Sequence, residues 1–466
     1  MKSEPFDRGP EPPDLIVELA RPAMFLDGPT VFAELGGPKL PPELARAKVR
    51  PLIELGPGRV DALHARAVPV SGLPEPQRLE HFVRVFTDLH PQQVEAAAGA
   101  TVRRVYRRPR VGPPSLSLAS LSPRDPKVVL QGYLQPPAGL LDPAAPSTSA
   151  WGVDSLAVMR RPGGQGRNAR AFILEAGFDI PDGSSAWLHT DLPPGMQLAW
   201  GENLAAYRAH GLKDLGIFAA VARNDVGMRG IANRAKIVPM GLVPPGQSAV
   251  DVYTALAKTL KIASPGDVVH IAWTPYVDVQ VGDATSTRAV PPQVDPAVRS
   301  LILLGTLAGV TVVQAAGNDC GELGQLSPVN GAFAGAFDAD IGSLIVGACS
   351  PADGSHVGAT GYGSPVLFFA WGAHVATLAR SAYTASPSVD PSDYTAQYSG
   401  TSSASAIVSA CCTVLQGMSR TRYGAPLAPL LLRHVLHQTG TPPLAGPALD
   451  NARMPNLRGA ASLLGL

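Results

Sequence analysis

Apolar positions in this chain come in short runs whose spacing changes along its length. From residue 151 onward, strand-length apolar runs at 171–174, 235–240, 267–271, 310–315 and 343–348 alternate with segments of helical period at 205–222, 249–262 and 298–308. Strand, helix, strand in succession predicts a doubly wound α/β domain over 151–466, with a mostly parallel sheet and helices on both faces. Chemistry in such a fold belongs at the carboxyl ends of the strands. The first part of the chain is different. Asp14 to Leu19 and His81 to Phe86 read as strands flanking short helical pieces, so 14–110 is expected to be a small α+β unit. It closes on Arg103, Arg104, Arg107, Arg108 and Arg110, which read as a solvated edge strand. Between the two units, 111–150 holds eight prolines in forty residues and is expected to be a linker. Residues 1–13, polar and proline-rich, read as a disordered tail.

Composition narrows the possibilities. With 466 residues the chain has room for two or three domains, and its 47 prolines and 48 glycines imply many turns. A net charge of +1 provides no electrostatic excess for a nucleic acid partner. No uncharged apolar run reaches the ~18–20 residues that cross a bilayer, so no membrane partner is expected. The amino terminus lacks the basic start and apolar core of a secretory signal, which makes cytoplasmic residence the expectation. Cys320, Cys349, Cys411 and Cys412 have no metal-ligand spacing and read as buried free thiols. No acidic loop cluster of calcium-ligand type is visible, and no cofactor or metal is expected.

The segment richest in chemistry is Tyr398 to Ala410, with Gly400-Thr401-Ser402-Ser403 leading into a run of small and apolar residues. That is a tight turn feeding the amino end of a buried helix, where unpaired backbone N–H groups and the helix dipole favour an alkoxide or oxyanion. By composition alone Thr401 or Ser402 could equally be an ordinary helix cap.

The order Gly-Thr-Ser-Ser-Ala-Ser also resembles the nucleophile signature of the subtilisin-like serine proteases, the subtilases. Four further blocks are similar to that family in the right order. Phe172 to Phe178 followed by His189-Thr190-Asp191-Leu192 resembles its first strand; His210-Gly211-Leu212 with Asn224 to Gly227 and Gly230-Ile231-Ala232 resembles its histidine block. Val312 to Asn318 resembles the segment supplying its oxyanion-hole asparagine, and Ser343 to Ala348 with Phe369 to Gly372 matches two later segments. The departures are Glu175 for the usual aspartate, Leu212 for threonine, Asn233 for proline and Ala406 for proline.

The resemblance implies a serine endopeptidase acting on polypeptides through an acyl-enzyme on Ser402, with His210 as base, Glu175 as triad acid and Asn318 in the oxyanion hole. Asp179 and Asp191 are the reserve acids. It places Ala272, Trp273, Ala316 and Gly317 along the substrate cleft, with Trp273 narrowing the specificity pocket. The competing expectation is an impaired subtilase-like scaffold that binds peptides or a partner, since glutamate carries its carboxylate one bond length further out than aspartate. The 14–110 unit resembles, by layout, the inhibitory propeptide of this family, with 102–110 laid in the cleft as an intramolecular inhibitor and cutting expected between Arg107 and Ala150.

Overall fold

The computed structural model describes residues 14–19, 48–51, 81–86, 91–98 and 102–107 with a few positions between them, then 130–137 and most of 152–466. The tail 1–13 and the greater part of the expected linker lie outside the described residues, as do Arg108 and Arg110.

Four strands form the first sheet: β1 (Asp14–Leu19), β2 (Lys48–Pro51), β3 (Phe82–Phe86) and β4 (Val102–Arg107). Their order is β2-β3-β1-β4, and every pair is antiparallel. The period-2 pattern sorts the side chains. Leu15, Val17, Leu19, Val83, Val85 and Val105 share a core with Val94 of the helix Pro91–Ala98. Ile16 and Phe82 belong instead to the core of the larger domain. Both faces of this small sheet are therefore covered, one by its own helix and one by its neighbour. Among the described residues β4 pairs only with β1, and Arg103 sits 3.8 Å from Glu18, so the arginine-rich strand lies at the edge of the described sheet as its pattern predicts.

The larger domain is built on a six-stranded sheet. Its strands are β5 (Arg170–Glu175), β6 (Lys236–Gly241), β7 (Val268–Ile271), β10 (Thr311–Ala315), β12 (Leu344–Cys349) and β13 (Phe368–Trp371). Smaller sheets beside it hold β8 (Tyr276–Val281), β9 (Ala284–Ala289) and β11 (Ser327–Pro328), and β14 (Val375–Leu378) with β15 (Tyr394–Tyr398). The order in the large sheet is β13-β12-β10-β7-β5-β6, and all five pairings are parallel. Central strands such as β10 and β12 are buried along their whole length, which is why they read as continuous apolar runs rather than alternating ones. The chain leaves β5 for β6 on one side and returns to β7 on the other. The crevice at the carboxyl ends of β5 and β7 is thus a topological switch point.

Helices cover both faces. Asp251 caps the helix Val252–Ile262 by accepting from Thr254 N, and Asp295 caps Pro296–Leu307 by accepting from Ala297 and Val298 N, with proline at the first helical position. The helix Thr401–Tyr423 runs through the other face and is buried from Thr401 to Ser419. Small residues let it lie close to the sheet. Hydroxyls along its buried middle donate back into the helix: Ser405 to Ser402 O, Ser409 to Ser405 O and Thr413 to Ser409 O. All four cysteines are buried free thiols.

One expectation is corrected inside the Pro-rich stretch. Residues 130–137 are docked on the larger domain, not free linker: Tyr133 is fully buried and donates to Ala376 O at 2.9 Å, and Gln131 donates to Arg229 O. The averaged proline content of 111–150 hides a short apolar piece, Gly132-Tyr133-Leu134, that packs as a 3-10 turn with Gly132 against Trp371.

Candidate active site

Glu175 ends β5 at the switch point, and the next turn sets the distance to the helix Arg208–Ala219. A side chain at Gly211 would put its Cβ 2.2 Å from Gly177 O and against the Phe178 ring. Glycine at 211 is what allows the helix to approach, and it brings the preceding residue, His210, within reach. His210 Nδ1 donates to Glu175 Oε1 at 2.8 Å, while Glu175 Oε2 accepts from Ala176 N. The glutamate's extra bond length is absorbed, and the expected distance conflict does not arise. Asp179 and Asp191 are engaged elsewhere. Asp179 pairs with Arg380 at 2.8 Å, and Asp191 accepts from Asn224 and from Met228 N, its carboxyl pushed up to about 6 by burial.

Burial opposes charge on both partners of the Glu175–His210 pair. It pushes the Glu175 carboxyl upward, and it would push the imidazole down, but the Glu175 charge and hydrogen bond, reinforced by Asp214, leave His210 above the ordinary histidine value. The pair holds one proton more firmly than an isolated imidazole does.

Ser402 enters from the opposite side of the crevice. Gly400 has φ +89°, a conformation that side chains avoid, and this turn places Ser402 in the first turn of the Thr401–Tyr423 helix. Its hydroxyl faces Ala272 O, 3.4 Å away at the end of β7. Asn318 follows β10. Its Oδ1 accepts from Thr401 N at 2.9 Å and from Thr401 Oγ1 at 3.0 Å, and Thr401 Oγ1 in turn accepts from Gly317 N. The carboxamide is thereby oriented, with its oxygen committed to the helix and its NH2 left as the donor. Thr401 is thus the residue that ties the asparagine segment to the serine helix.

The remaining expected cleft residues gather at the same place. Ala316 and Gly317 are buried in the turn before Asn318; Gly317 has φ +97°, and a Cβ there would meet Ala289 O at 2.0 Å. Their carbonyls are occupied by Cys320 Sγ and Gly361 N, so what they supply is the turn itself. Trp273 is 7% exposed within the core of the larger domain, and its Nε1 has no hydrogen-bond partner among the described residues.

Three functional candidates escaped the sequence reading: Tyr398, Asp214 and His270. Tyr398, the last residue of β15, donates to Asp214 Oδ1 at 2.7 Å and stands 3.1 Å from His210 Nε2. Asp214 Oδ2 lies 3.3 Å from His270 Nε2, and His270 Nδ1 lies 3.0 Å from Ser409 Oγ. Asp214 could have been suspected, because it follows His210 by four residues on one helix face. His270 and Tyr398 carry no such local signal. Among the described residues, Glu175, His210 and Asp214 form a histidine and carboxylate group whose ligand atoms lie within 4.8 Å of one another. Hydrogen bonds to one another, to Ala176 N, to Tyr398 and to His270 account for those atoms, and the group is a proton network.

Comparison with known proteins gives the family. The model of the subtilase family matches residues 199–453, more than half of the chain, and the chain belongs to that family of serine proteases. Among solved structures, a cold-adapted subtilisin-like serine proteinase is 18% identical, covering 63% of this chain and 89% of its own, with a TM-score of 0.42. A serine-to-alanine mutant of the protease domain of PatA is 20% identical, covering 64% of this chain and 96% of its own, also with a TM-score of 0.42. No curated protein matches the chain.

Proposed function

We propose that this subtilase is a serine endopeptidase in which Ser402 is the nucleophile, His210 the general base, Glu175 the carboxylate that orients and charges the imidazole, and Asn318 a donor to the oxyanion. The observation that carries the reading is the convergence of these four residues, from four separate elements, on one switch-point crevice, with Glu175 bonded to the base at 2.8 Å. Serine at its own pKa is a poor nucleophile and needs that base; the carboxylate on Nδ1 selects the tautomer whose Nε2 can take the proton. The peptide carbonyl is attacked by Ser402 Oγ, the proton passes to His210 Nε2 and then to the leaving amine, and water repeats the sequence on the acyl-enzyme. Asn318, its oxygen fixed by Thr401, presents N–H to the carbonyl oxygen as it gains charge. The residues need no cofactor for this chemistry.

The test is a fluorophosphonate probe followed by peptide mapping. The adduct is expected on Ser402, with labelling lost in Ser402→Ala. A folded chain that takes no label once its amino-terminal part is removed would instead support a peptide-binding scaffold.

We also propose that the amino-terminal sheet is an intramolecular inhibitor. Support comes from its docking: Ile16 and Phe82 share the core under the helix Val252–Ile262, Arg84 sits 3.9 Å from Asp251, and Arg66 donates to Leu260 O and Ala263 O. Cutting is expected between Arg107 and Ala150, outside the docked Gln131 to Leu134. Sequencing of new amino termini is expected to find cuts there in the wild type and none in Ser402→Ala. An intact wild-type chain with full peptidase activity would leave the sheet as a docking module.

A further inference from the structure

We infer that Tyr398, held by Asp214, is a latch on His210: in the resting enzyme its hydroxyl oxygen occupies the position at Nε2 that the Ser402 hydroxyl must take, and it keeps the base protonated. The inference rests on His210 being the base of the hydrolase reading, and it follows from counting protons.

A tyrosine hydroxyl has one proton to give. Asp214 is fully buried, yet its hydrogen bonds and charge interactions with His270, His210 and Tyr398 outweigh the cost of burial and hold it below the usual carboxylate range. As a carboxylate it only accepts, so the 2.7 Å contact uses the Tyr398 proton. What Tyr398 then offers to His210 Nε2, 3.1 Å away, is a lone pair, and a lone pair is satisfied only by an N–H. Nδ1 already donates to Glu175. The resting ring therefore carries protons on both nitrogens, which is the state that cannot accept one from serine. Ser402 also interacts with Tyr398, so the tyrosine engages both residues that the reaction must bring together.

The surroundings reinforce the latch. Glu175 faces His210 from β5 and Asp214 from its own helix, with His270 of β7 behind Asp214. Lys213 is the opposing charge, its ammonium 5.5 Å over the Tyr398 ring. Two carboxylates and the tyrosine oxygen favour the imidazolium; Lys213 disfavours it. Burial and the two carboxylates hold the Tyr398 hydroxyl well above its ordinary value, so it does not titrate away near neutral pH. Release requires loss of the Nε2 proton to solvent and rotation of Tyr398 off the ring, after which Ser402 can donate in its place.

The experiment is the fluorophosphonate inactivation rate of the full chain against pH, for wild type and Tyr398→Phe. Phenylalanine keeps the ring and removes the acceptor. Its acid limb is expected to move down by about half to one pH unit, which is about 3- to 5-fold faster labelling one unit below the wild-type midpoint. The rate on the alkaline plateau should stay within about two-fold of wild type. An unmoved midpoint overturns the latch, and so does a fall at every pH, which would make the hydroxyl a required relay. Wild type that takes no label at any pH, intact or after its amino-terminal part is removed, overturns the hydrolase reading and the latch with it. If Tyr398→Phe does not fold, low-field proton NMR of Ser402→Ala decides. Two ring N–H signals from His210, persisting above about pH 6.5, are expected. A single Nδ1–H signal at neutral pH would overturn the proposal.

Discussion

Ser402→Ala and His210→Ala should each reduce peptide turnover by about five to six orders of magnitude, and the double variant should be no worse than either alone. The reason is mechanical. The hydroxyl without its base is an ordinary alcohol, and the base without the hydroxyl has no proton to take, so the first loss removes what the second would remove. Residual rates should reflect the donor at Asn318 and substrate binding. Steady-state kinetics on one peptide across the three variants measures this. Additive losses would mean that the two residues act separately, and the Ser402–His210 assignment would fail. Both variants should fold: Ser402 is a small buried residue at a helix start, and alanine suits that position, while His210 loses only its bonds to Glu175 and Tyr398.

The second large effect is expected at Glu175. Glu175→Gln keeps size and burial but removes the charge, and an amide cannot stabilise the imidazolium. A loss of about 10⁴ in kcat is expected, with little cost to folding because burial already works against the charged carboxyl. The sign of the pH effect is fixed by the same pair. His210 lies above the ordinary histidine value, so wild-type activity should be lost as pH falls through a midpoint higher than about 6.5, and Glu175→Gln should lower that midpoint. Glu175→Asp tests geometry. The carboxylate would retreat by about 1.5 Å from a contact made at 2.8 Å, and a misplacement of ~1 Å can cost about 100-fold. Unchanged turnover in both variants would remove Glu175 from the triad, and the engagement of Asp179 with Arg380 and of Asp191 with Asn224 leaves neither reserve in position.

The glutamate shows where sequence and structure divide the work. That β5 ends in a carboxylate was legible, because an apolar run closing on a charged residue marks the carboxyl end of a strand in a parallel sheet. Whether one extra methylene could be absorbed was not, because the answer depends on how closely the His210 helix approaches. That approach is decided by Gly211 against Gly177 O, a contact between residues 34 positions apart. Ala406, Leu212 and Asn233, the other departures from the family pattern, are likewise accommodated: Ala406 and Leu212 are fully buried, and Asn233 donates back to Gly230 O to close its turn.

By itself the sequence determined the alternation of strands and helices, the parallel sheet, the edge strand rich in arginine, and the identity of the serine, histidine and asparagine segments. These are local properties: period, turn chemistry and the order of small residues are written in neighbouring positions. Only the tertiary structure decided that Gly132-Tyr133-Leu134 docks inside a proline-rich stretch, that Thr401 orients Asn318, and that Tyr398, Asp214 and His270 form a hydrogen-bonded network beside His210. Each of those depends on atoms from residues 56 to 243 positions apart. Hydrogen-bond geometry over such separations is created by packing, and no periodicity along the chain encodes it.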